Sequence, residues 1–114
     1  MKCGIADVGS NTIRLSIYRW EGTQFKLLLN KKVMAGLAGY IKDGALSDSG
    51  ILVACRTLSS YRALLDNFQV SKMHVFATAS LRNISNTGEA VETIRDVTGI
   101  PVEVLSGDEE AALS

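Results

Sequence analysis

The stretch Asp7-Val8-Gly9-Ser10-Asn11-Thr12 stands between two apolar runs and decides the start of the fold. Residues 3–8 are predicted to form a short buried strand, and residues 13–20 alternate between apolar and polar side chains, as a second strand does. A Gly-Ser-Asn turn between two strands makes a hairpin, and Gly9 can supply the positive φ that such a turn often needs. The sequence therefore predicts that the chain opens with an antiparallel hairpin.

The same turn is a candidate phosphate site. Its successive backbone N–H groups, from Gly9, Ser10 and Asn11, can point into one concavity that suits a phosphate oxygen. Asp7 would lie at the end of the strand beside it, and an acid next to an anion is unfavourable unless a metal ion or a proton lies between them. This pairing indicates metal-assisted phosphate chemistry, with Asp7 as the metal ligand. The alternative is that these residues are simply good turn formers.

Length, composition and charge limit the class of protein. The chain has 114 residues, enough for one domain with one core. It is 46% hydrophobic with a net charge of zero, which argues against a general nucleic-acid or membrane-surface binder. No apolar run approaches the ~20 residues of a membrane-spanning helix, and the first strand starts too early, at Lys2 or Cys3, to leave room for a signal peptide. Because Cys3 and Cys55 are expected to be free thiols of a reduced compartment, the predicted location is cytoplasmic.

The middle of the chain continues the sheet and then changes to helix. Residues 24–34 alternate as a third strand, which completes an antiparallel meander. The glycine-rich stretch 35–44 is expected to be an exposed and mobile loop. Ser47 is a credible N-cap for a helix that runs to about Phe68, and residues 70–78 form the next strand. From here on, the chain alternates strand with helix.

The last third repeats that alternation. Asn86 is expected to cap a helix over residues 87–98, with Glu89 at its third position, and residues 102–105 form a fifth strand. A meander that continues into βαβ units predicts an α/β protein with a five-stranded mixed sheet, in the order β-β-β-α-β-α-β followed by the start of a helix. Because so short a terminal helix would be marginal alone, residues 1–114 are expected to be the first lobe of a longer protein.

Two further polar clusters follow the fourth and fifth predicted strands. Thr78 and Ser80 can hydrogen-bond a phosphate, and Arg82 can clamp it, because ligands gather at the carboxyl ends of strands in open α/β sheets. The second cluster starts a helix, where acids are favoured by the helix dipole, and Glu110 is the acid that can turn towards the end of the sheet. The alternatives are a solvated connector and an ordinary surface glutamate. Convergence of three clusters on one edge favours a site.

The sequence lacks the motifs of several other binding sites and catalytic mechanisms. The sequence has no Gly-x-x-x-x-Gly-Lys-Ser/Thr loop and no Gly-x-Gly-x-x-Gly fingerprint. His74 is the only histidine and falls inside a predicted strand, which argues against a Ser-His-Asp triad. Two cysteines and one histidine make a structural zinc site improbable.

Three stretches of the chain, taken together, are specific for one family. They are Asp7-Val8-Gly9-Ser10-Asn11-Thr12-Ile13-Arg14-Leu15, Ala77-Thr78-Ala79-Ser80-Leu81-Arg82-Asn83-Ile84-Ser85-Asn86 and Val102-Glu103-Val104-Leu105-Ser106-Gly107-Asp108-Glu109-Glu110-Ala111. In order and spacing they resemble the exopolyphosphatase/guanosine pentaphosphate phosphohydrolase family, and the likeness extends over nearly the whole chain. The first motif alone is shared with sugar kinases, actin and heat-shock chaperones, whereas the combination is much more specific.

The resemblance implies a ribonuclease-H-like first lobe of the actin-like ATPase superfamily, in agreement with the strand order. It implies hydrolysis of the terminal phosphate of inorganic polyphosphate or of guanosine pentaphosphate, with Mg²⁺. By the same resemblance, Glu110 is the catalytic base, Arg82 the phosphate clamp, and residues 7–11 the first phosphate loop. The family's second lobe carries an Asp-x-Gly-Gly-Gly-Ser loop that is absent here, so the isolated chain is expected to be inactive without that partner lobe. The sequence leaves open whether the protein forms a homodimer.

The expected mechanism places positive charge and N–H donors around the terminal phosphoryl group. The amides of residues 9–11, Arg82 and a Mg²⁺ ion near Asp7 hold that group, while Glu110 orients and deprotonates the attacking water. Additional phosphate-contacting hydroxyls are expected from three residues, Ser10, Thr78 and Ser80.

Three other functions fit the same sequence features. One is a sugar or acetate kinase, or an ATPase, of the same superfamily, which would transfer phosphate to a different acceptor. The second is a non-catalytic regulator that binds a nucleotide or an alarmone. The third is a purely structural lobe that docks a second domain.

Overall fold

The computed structural model describes residues 1–108 of the chain. In chain order the elements are β1 (Lys2–Val8), β2 (Ile13–Glu21), β3 (Gln24–Val33), a 3-10 helix (Leu37–Tyr40), β4 (Ile41–Lys42), β5 (Ala45–Leu46), α1 (Asp48–Asn67), β6 (Met73–Ala77), α2 (Ala79–Arg82), α3 (Thr87–Thr98) and β7 (Val102–Val104). No helix within this range is both long and apolar enough to cross a bilayer.

The main sheet has five strands in the order β3-β2-β1-β6-β7. β1 and β3 both run antiparallel to β2, whereas β6 is parallel to β1 and β7 is parallel to β6. This confirms the mixed five-stranded sheet expected from the sequence. The arrangement also turns the carboxyl ends of β1, β6 and β7 towards the same edge.

The core lies between one face of the sheet and the helices α1 and α3. Alternate side chains of β1 and β2, such as Ala6, Ile13 and Leu15, point into it and are fully buried. Their neighbours in the sequence face the other way, and Asp7 and Arg14 on that second face are exposed. The two-residue period of the strands therefore separates an apolar core face from a face that carries charge at the edge where β1 ends.

The start of α1 confirms the predicted cap and gives a reason for the glycine in its first turn. The Ser47 Oγ accepts a hydrogen bond from the amide of Gly50 at 3.2 Å. A Cβ on Gly50 would lie 2.6 Å from Leu46 Cδ1 and 2.7 Å from Tyr40 Cβ. Glycine costs a little helix propensity here, but it lets the preceding segment pack directly against the helix.

Residues 35–44 do not form the irregular loop predicted from the sequence, although most of the stretch is exposed, as predicted. This stretch forms the 3-10 helix and β4, which pairs with β5 in a two-stranded sheet, and Leu37 is fully buried. Gly36 and Gly44 take positive φ values of 64° and 81°, so they turn the chain and send Leu37 and Leu46 into the core. The glycines mark tight turns of an ordered segment.

The predicted cap on α3 is also wrong in its chemistry. Asn86 occupies the N-cap position, but its side chain makes no capping hydrogen bond. Its amide instead bonds to the main chain of Leu46, forty residues away in the sequence. The side chain of Asn86 therefore makes a tertiary contact and does not cap the helix. The short helix α2, which immediately follows β6, was not predicted at all.

Candidate active site

The ends of three parallel strands define the candidate site. Val8, the last residue of β1, is paired with Ala77, and Ala77 is paired with Val104. Just beyond the strands, the amide of Leu105 donates to the carbonyl of Ala77 at 2.8 Å and so extends the ladder. The three polar segments that follow these strands therefore leave the sheet side by side, which confirms the convergence predicted from the sequence. The roles of their individual side chains stay predictions.

The turn after β1 is closed by its own main chain. The amide of Gly9 donates to the carbonyl of Thr12 at 2.9 Å. A Cβ on Gly9 would lie 2.8 Å from that same carbonyl oxygen. Gly9 does not have a positive φ, contrary to the expectation from the sequence. Glycine is required here because the backbone approaches itself closely.

In the next two residues of this turn, the carbonyls are hydrogen-bonded within the described chain and the amides are not. The carbonyl of Ser10 accepts from the amide of Ala38 at 3.0 Å, and the carbonyl of Asn11 accepts from the amide of Gly36 at 2.9 Å. No residue among 1–108 accepts a hydrogen bond from the amides of Ser10 or Asn11. Two N–H donors at the edge can therefore serve an anion, whereas the third predicted donor, on Gly9, is used inside the turn.

Asp7 is the last outward-facing residue of β1, and it is exposed. The strand register places it directly opposite Arg14, and Arg14 in turn lies opposite Lys32. Sequence reasoning did not single out these two cations, although hairpin symmetry about the turn would have paired Arg14 with Asp7. Adjacent cations repel each other, so this row favours a negatively charged neighbour.

Whether the edge could bind a magnesium ion depends on how many protein carboxylates the ion requires. Within residues 1–108 no group of three His, Cys, Asp or Glu side chains could hold a metal ion. Mg²⁺ prefers hard oxygen ligands and is commonly bound by one or two carboxylates together with substrate phosphates and waters. Asp7 at the exposed edge fits that mode, in which the substrate completes the coordination.

Two hydroxyl residues after β6 differ in what they offer. The Ser80 Oγ donates to the carbonyl of Val8 at 2.6 Å, and the residue is only 2% exposed. Its proton therefore links the ends of β1 and β6, so in this arrangement Ser80 has no proton to donate to a phosphate. Thr78 is half-buried, and no residue of the described chain hydrogen-bonds to its hydroxyl. Of the two predicted phosphate contacts, the one from Thr78 fits the geometry better.

Arg82 connects the second and third segments of the edge. Its Nη1 donates to the carbonyl of Leu105 at 3.2 Å, just after β7. The guanidinium is half-buried and carries five donors in a fixed plane, so this bond orients the group at the edge. Glu110, the predicted base, lies outside the described residues.

Three other ionisable side chains have raised pKa values. Burial raises the pKa of the Cys3 and Cys55 thiols, so both stay protonated at neutral pH, and both cysteines are free, as predicted. Burial also raises the pKa of Tyr61, whose hydroxyl donates to the carbonyl of Ile13. Ile13 is the first residue of β2, so this bond anchors the β2 side of the turn to α1. None of these groups offers a charge to the edge.

Comparison with known proteins connects this geometry to an enzyme family. Residues 16–114 match the model of the Ppx/GppA phosphatase family. The chain is similar to an exopolyphosphatase from Cytophaga hutchinsonii ATCC 33406, with 31% identity and a TM-score of 0.90 over 99% of this chain and 36% of that one. It is also similar to the Ppx/GppA family member of Aquifex aeolicus, with 26% identity and a TM-score of 0.88 over 96% of this chain and 36% of that one. The chain thus spans about a third of the length of these relatives.

A remote likeness bears on the fold alone. The Holliday-junction-binding RuvC protein of T. thermophilus matches with 14% identity and a TM-score of 0.50, over 92% of this chain and 65% of that one. The predicted fold class, an α/β lobe of ribonuclease-H-like fold with a five-stranded mixed sheet, is confirmed, and membership of the actin-like ATPase superfamily stays a prediction.

Proposed function

The chain belongs to the Ppx/GppA phosphatase family, and on that premise we propose that it is the first lobe of an enzyme that hydrolyses the terminal phosphate of inorganic polyphosphate or of guanosine pentaphosphate. The observation that carries this proposal is the common edge of β1, β6 and β7. At this edge the main-chain amides of Ser10 and Asn11 have no acceptor among residues 1–108, and they lie in the segment next to the one that carries Arg82. An edge built from amides and a guanidinium suits a multiply charged phosphate group.

The first task of the site is to hold the terminal phosphoryl group. The amides of Ser10 and Asn11 bind its oxygens, and the oriented guanidinium of Arg82 adds positive charge where negative charge develops. The hydroxyls of Ser10 and Thr78 supply further donors, while Ser80 holds β1 and β6 together. Magnesium, when bound by Asp7 and the substrate, supplies additional positive charge.

The second task is to activate water. Glu110 accepts a proton from the attacking water as the new P–O bond forms and the bond to the rest of the phosphate chain breaks. A general base of this kind contributes roughly 10²–10⁴ in rate. The neighbouring Glu109 lies at the predicted helix start, where a carboxylate is explained by the helix dipole alone.

Replacing the base tests this proposal in the two-lobe protein. We expect Glu110→Gln to fold and to bind substrate but to lose about 10²–10⁴ of its turnover, because the amide cannot accept the proton of the water. The measurement is phosphate release from polyphosphate and from guanosine pentaphosphate. Glu109→Gln is the matched control and should retain most of its activity.

The result of this experiment distinguishes between the functions considered. Near-normal phosphate release by Glu110→Gln would remove that residue from the role of base. Transfer of phosphate to a sugar or to acetate instead of water would indicate a kinase. Ligand binding by the wild-type protein without any turnover would indicate a regulator.

The metal is tested separately at Asp7. We expect Asp7→Asn to require a higher magnesium concentration for half-maximal activity, because an amide oxygen is a weaker ligand for this hard cation than a carboxylate. Activity is measured as a function of magnesium at saturating substrate. An unchanged magnesium titration would contradict the assignment of Asp7 as the ligand.

A further inference from the structure

Residues 36–46 form one ordered segment, called the strap below, that contacts two of the polar segments of the site. At its first end, Gly36 and Ala38 donate main-chain hydrogen bonds to the carbonyls of Asn11 and Ser10, at 2.9 and 3.0 Å. These two bonds fix the peptide groups of the turn after β1. They use the carbonyl side of that turn, which leaves its amides directed to other acceptors.

The other end of the strap holds the connection that follows Arg82. The amide of Ser85 donates to the carbonyl of Gly44 at 2.8 Å. The side chain of Asn86 makes two bonds with Leu46: its Oδ1 accepts from the amide at 2.9 Å, and its Nδ2 donates to the carbonyl at 3.0 Å. The Asn86 amide thus pairs with β5 as the backbone of a neighbouring strand would.

The connection from Arg82 to Asn86 is itself compact. The Thr87 Oγ1 donates to the carbonyl of Leu81 at 2.5 Å and lies 3.0 Å from the carbonyl of Ile84. The residues on either side of Arg82 are therefore tied to the start of α3. Anchoring Asn86 on the strap also anchors the base of the Arg82 side chain.

The strap can couple the two segments because both of its ends are packed into the core. Leu37 is fully buried and Leu46 is 2% exposed, so both of its ends enter the core. The amide of Ser47 donates to the carbonyl of Tyr40 at 3.0 Å, which closes the segment on itself. Residues 41–44 between these ends are exposed. A segment whose two ends are buried and hydrogen-bonded still resists independent movement of those ends.

We propose that Asn86 is a positioning residue of the phosphate site, which acts through the strap to hold Arg82 and the amides of Ser10 and Asn11 in one frame. The inference rests on the proposed function, because it assigns a role in the same reaction. Among residues 1–108 the Asn86 side chain hydrogen-bonds only to Leu46. Its effect is on the relative placement of donors that come from two distant parts of the sequence, and small misplacements of such donors slow chemistry strongly.

The experiment compares three variants of the two-lobe protein. Asn86→Ala removes both bonds to Leu46, whereas Asn86→Asp keeps the acceptor and loses the donor. Asn83→Ala is the matched control, because Asn83 is an exposed asparagine of the same connection and no described residue hydrogen-bonds to its side chain. Each variant is measured for kcat and KM on polyphosphate, and for amide hydrogen exchange over residues 35–46 and at Ser85.

We expect Asn86→Ala to lower kcat by about 10-fold to 10²-fold while KM changes much less, with Asn86→Asp between it and the wild type. Exchange at Gly36 and Ala38 should become faster in the same order, although both lie far from the substitution in sequence. Asn83→Ala should change neither quantity. If Asn86→Ala does not fold, Asn86→Asp decides the comparison.

Two results would overturn the inference. The first is unchanged exchange at Gly36 and Ala38 when Leu46 and Ser85 have lost protection, since the strap would then transmit nothing. The second is a kcat for Asn86→Ala equal to that of the control. A wild-type protein without phosphatase activity would refute the proposed function instead, and the exchange data alone would then decide whether the strap couples the two segments.

Discussion

Two glycine turns of the same sheet look alike in the sequence and differ in the structure. The turn over residues 9–12 joins β1 to β2 at the candidate site, and Gly22-Thr23 joins β2 to β3 at the opposite end. Gly22 has a φ of 63°, and a Cβ there would meet nothing within 4 Å. Gly9 has no positive φ, and a Cβ there would lie 2.8 Å from the carbonyl oxygen of Thr12.

The difference shows what each turn is for. Gly22 is needed for local backbone conformation, in a turn that is exposed on all sides. Gly9 is needed for space, in a turn whose carbonyls are bonded to the strap and whose next two amides have no acceptor within residues 1–108. A hairpin turn that needs only to reverse the chain has no such contacts. The turn at residues 9–12 is therefore shaped by its neighbours, as the proposed phosphate loop requires.

Substitution by alanine and by asparagine separates these two reasons. Gly9→Ala must displace the main chain of Thr12, so we expect a loss of about 1–3 kcal/mol in the free energy of unfolding and a fall in phosphatase activity of up to about 10²-fold. Gly22→Ala should cost about 1–2 kcal/mol, because alanine is strained at positive φ, and should leave kcat unchanged. The measurements are denaturant unfolding and steady-state kinetics of the two-lobe protein.

Asparagine sharpens this contrast, because it tolerates positive φ but is larger than alanine. Gly22→Asn should recover most of the stability that Gly22→Ala loses. Gly9→Asn should be at least as harmful as Gly9→Ala. Recovery at position 9 would mean that conformation, and not space, explains the glycine there, and the comparison of the two turns would fail.

A smaller effect is expected from the tyrosines that support the two ends of β2. Tyr61 donates to the carbonyl of Ile13 beside the site, so Tyr61→Phe should lower the free energy of unfolding by about 1 kcal/mol. Tyr18 stacks on Phe25 at 4.6 Å between ring centroids, near the distal turn. Tyr18→Phe keeps that ring contact and should change stability by less than about 0.5 kcal/mol. Equal losses in denaturant unfolding would show that the hydroxyl of Tyr61 adds nothing to the anchoring of β2.

Local patterns in the sequence were sufficient to predict much of the fold. The period-two alternation of β1 and β2, the apolar stripe of α1 and its cap at Ser47 all depend on residues close in sequence, and the structure has each of them. The meeting of three polar segments at one edge followed from strand direction alone. The family resemblance added roles for individual side chains, and those roles stay predictions.

Two of the errors share one physical cause. Residues 35–44 have the composition of a mobile loop, but their hydrogen bonds go to Ser10, Asn11 and Ser85, which no local pattern reveals. Asn86 and Glu89 have the spacing of a capping box, but the two bonds that Asn86 makes with Leu46 take its side chain away from the helix. In both cases a partner distant in sequence competes with the local interaction and replaces it.

The sequence by itself determined the five strands of the main sheet, the long helices and the edge at which polar residues collect, because side-chain periodicity and strand direction are local properties of the chain. Only the tertiary structure decided that Gly9 serves close approach, that Ser80 donates to Val8, and that Asn86 pairs with Leu46. The contacts of Ser80 and Asn86 join residues distant in sequence, which the folded core brings together. Their hydrogen bonds form only where burial makes an unsatisfied polar group costly, and that burial exists only in the folded chain.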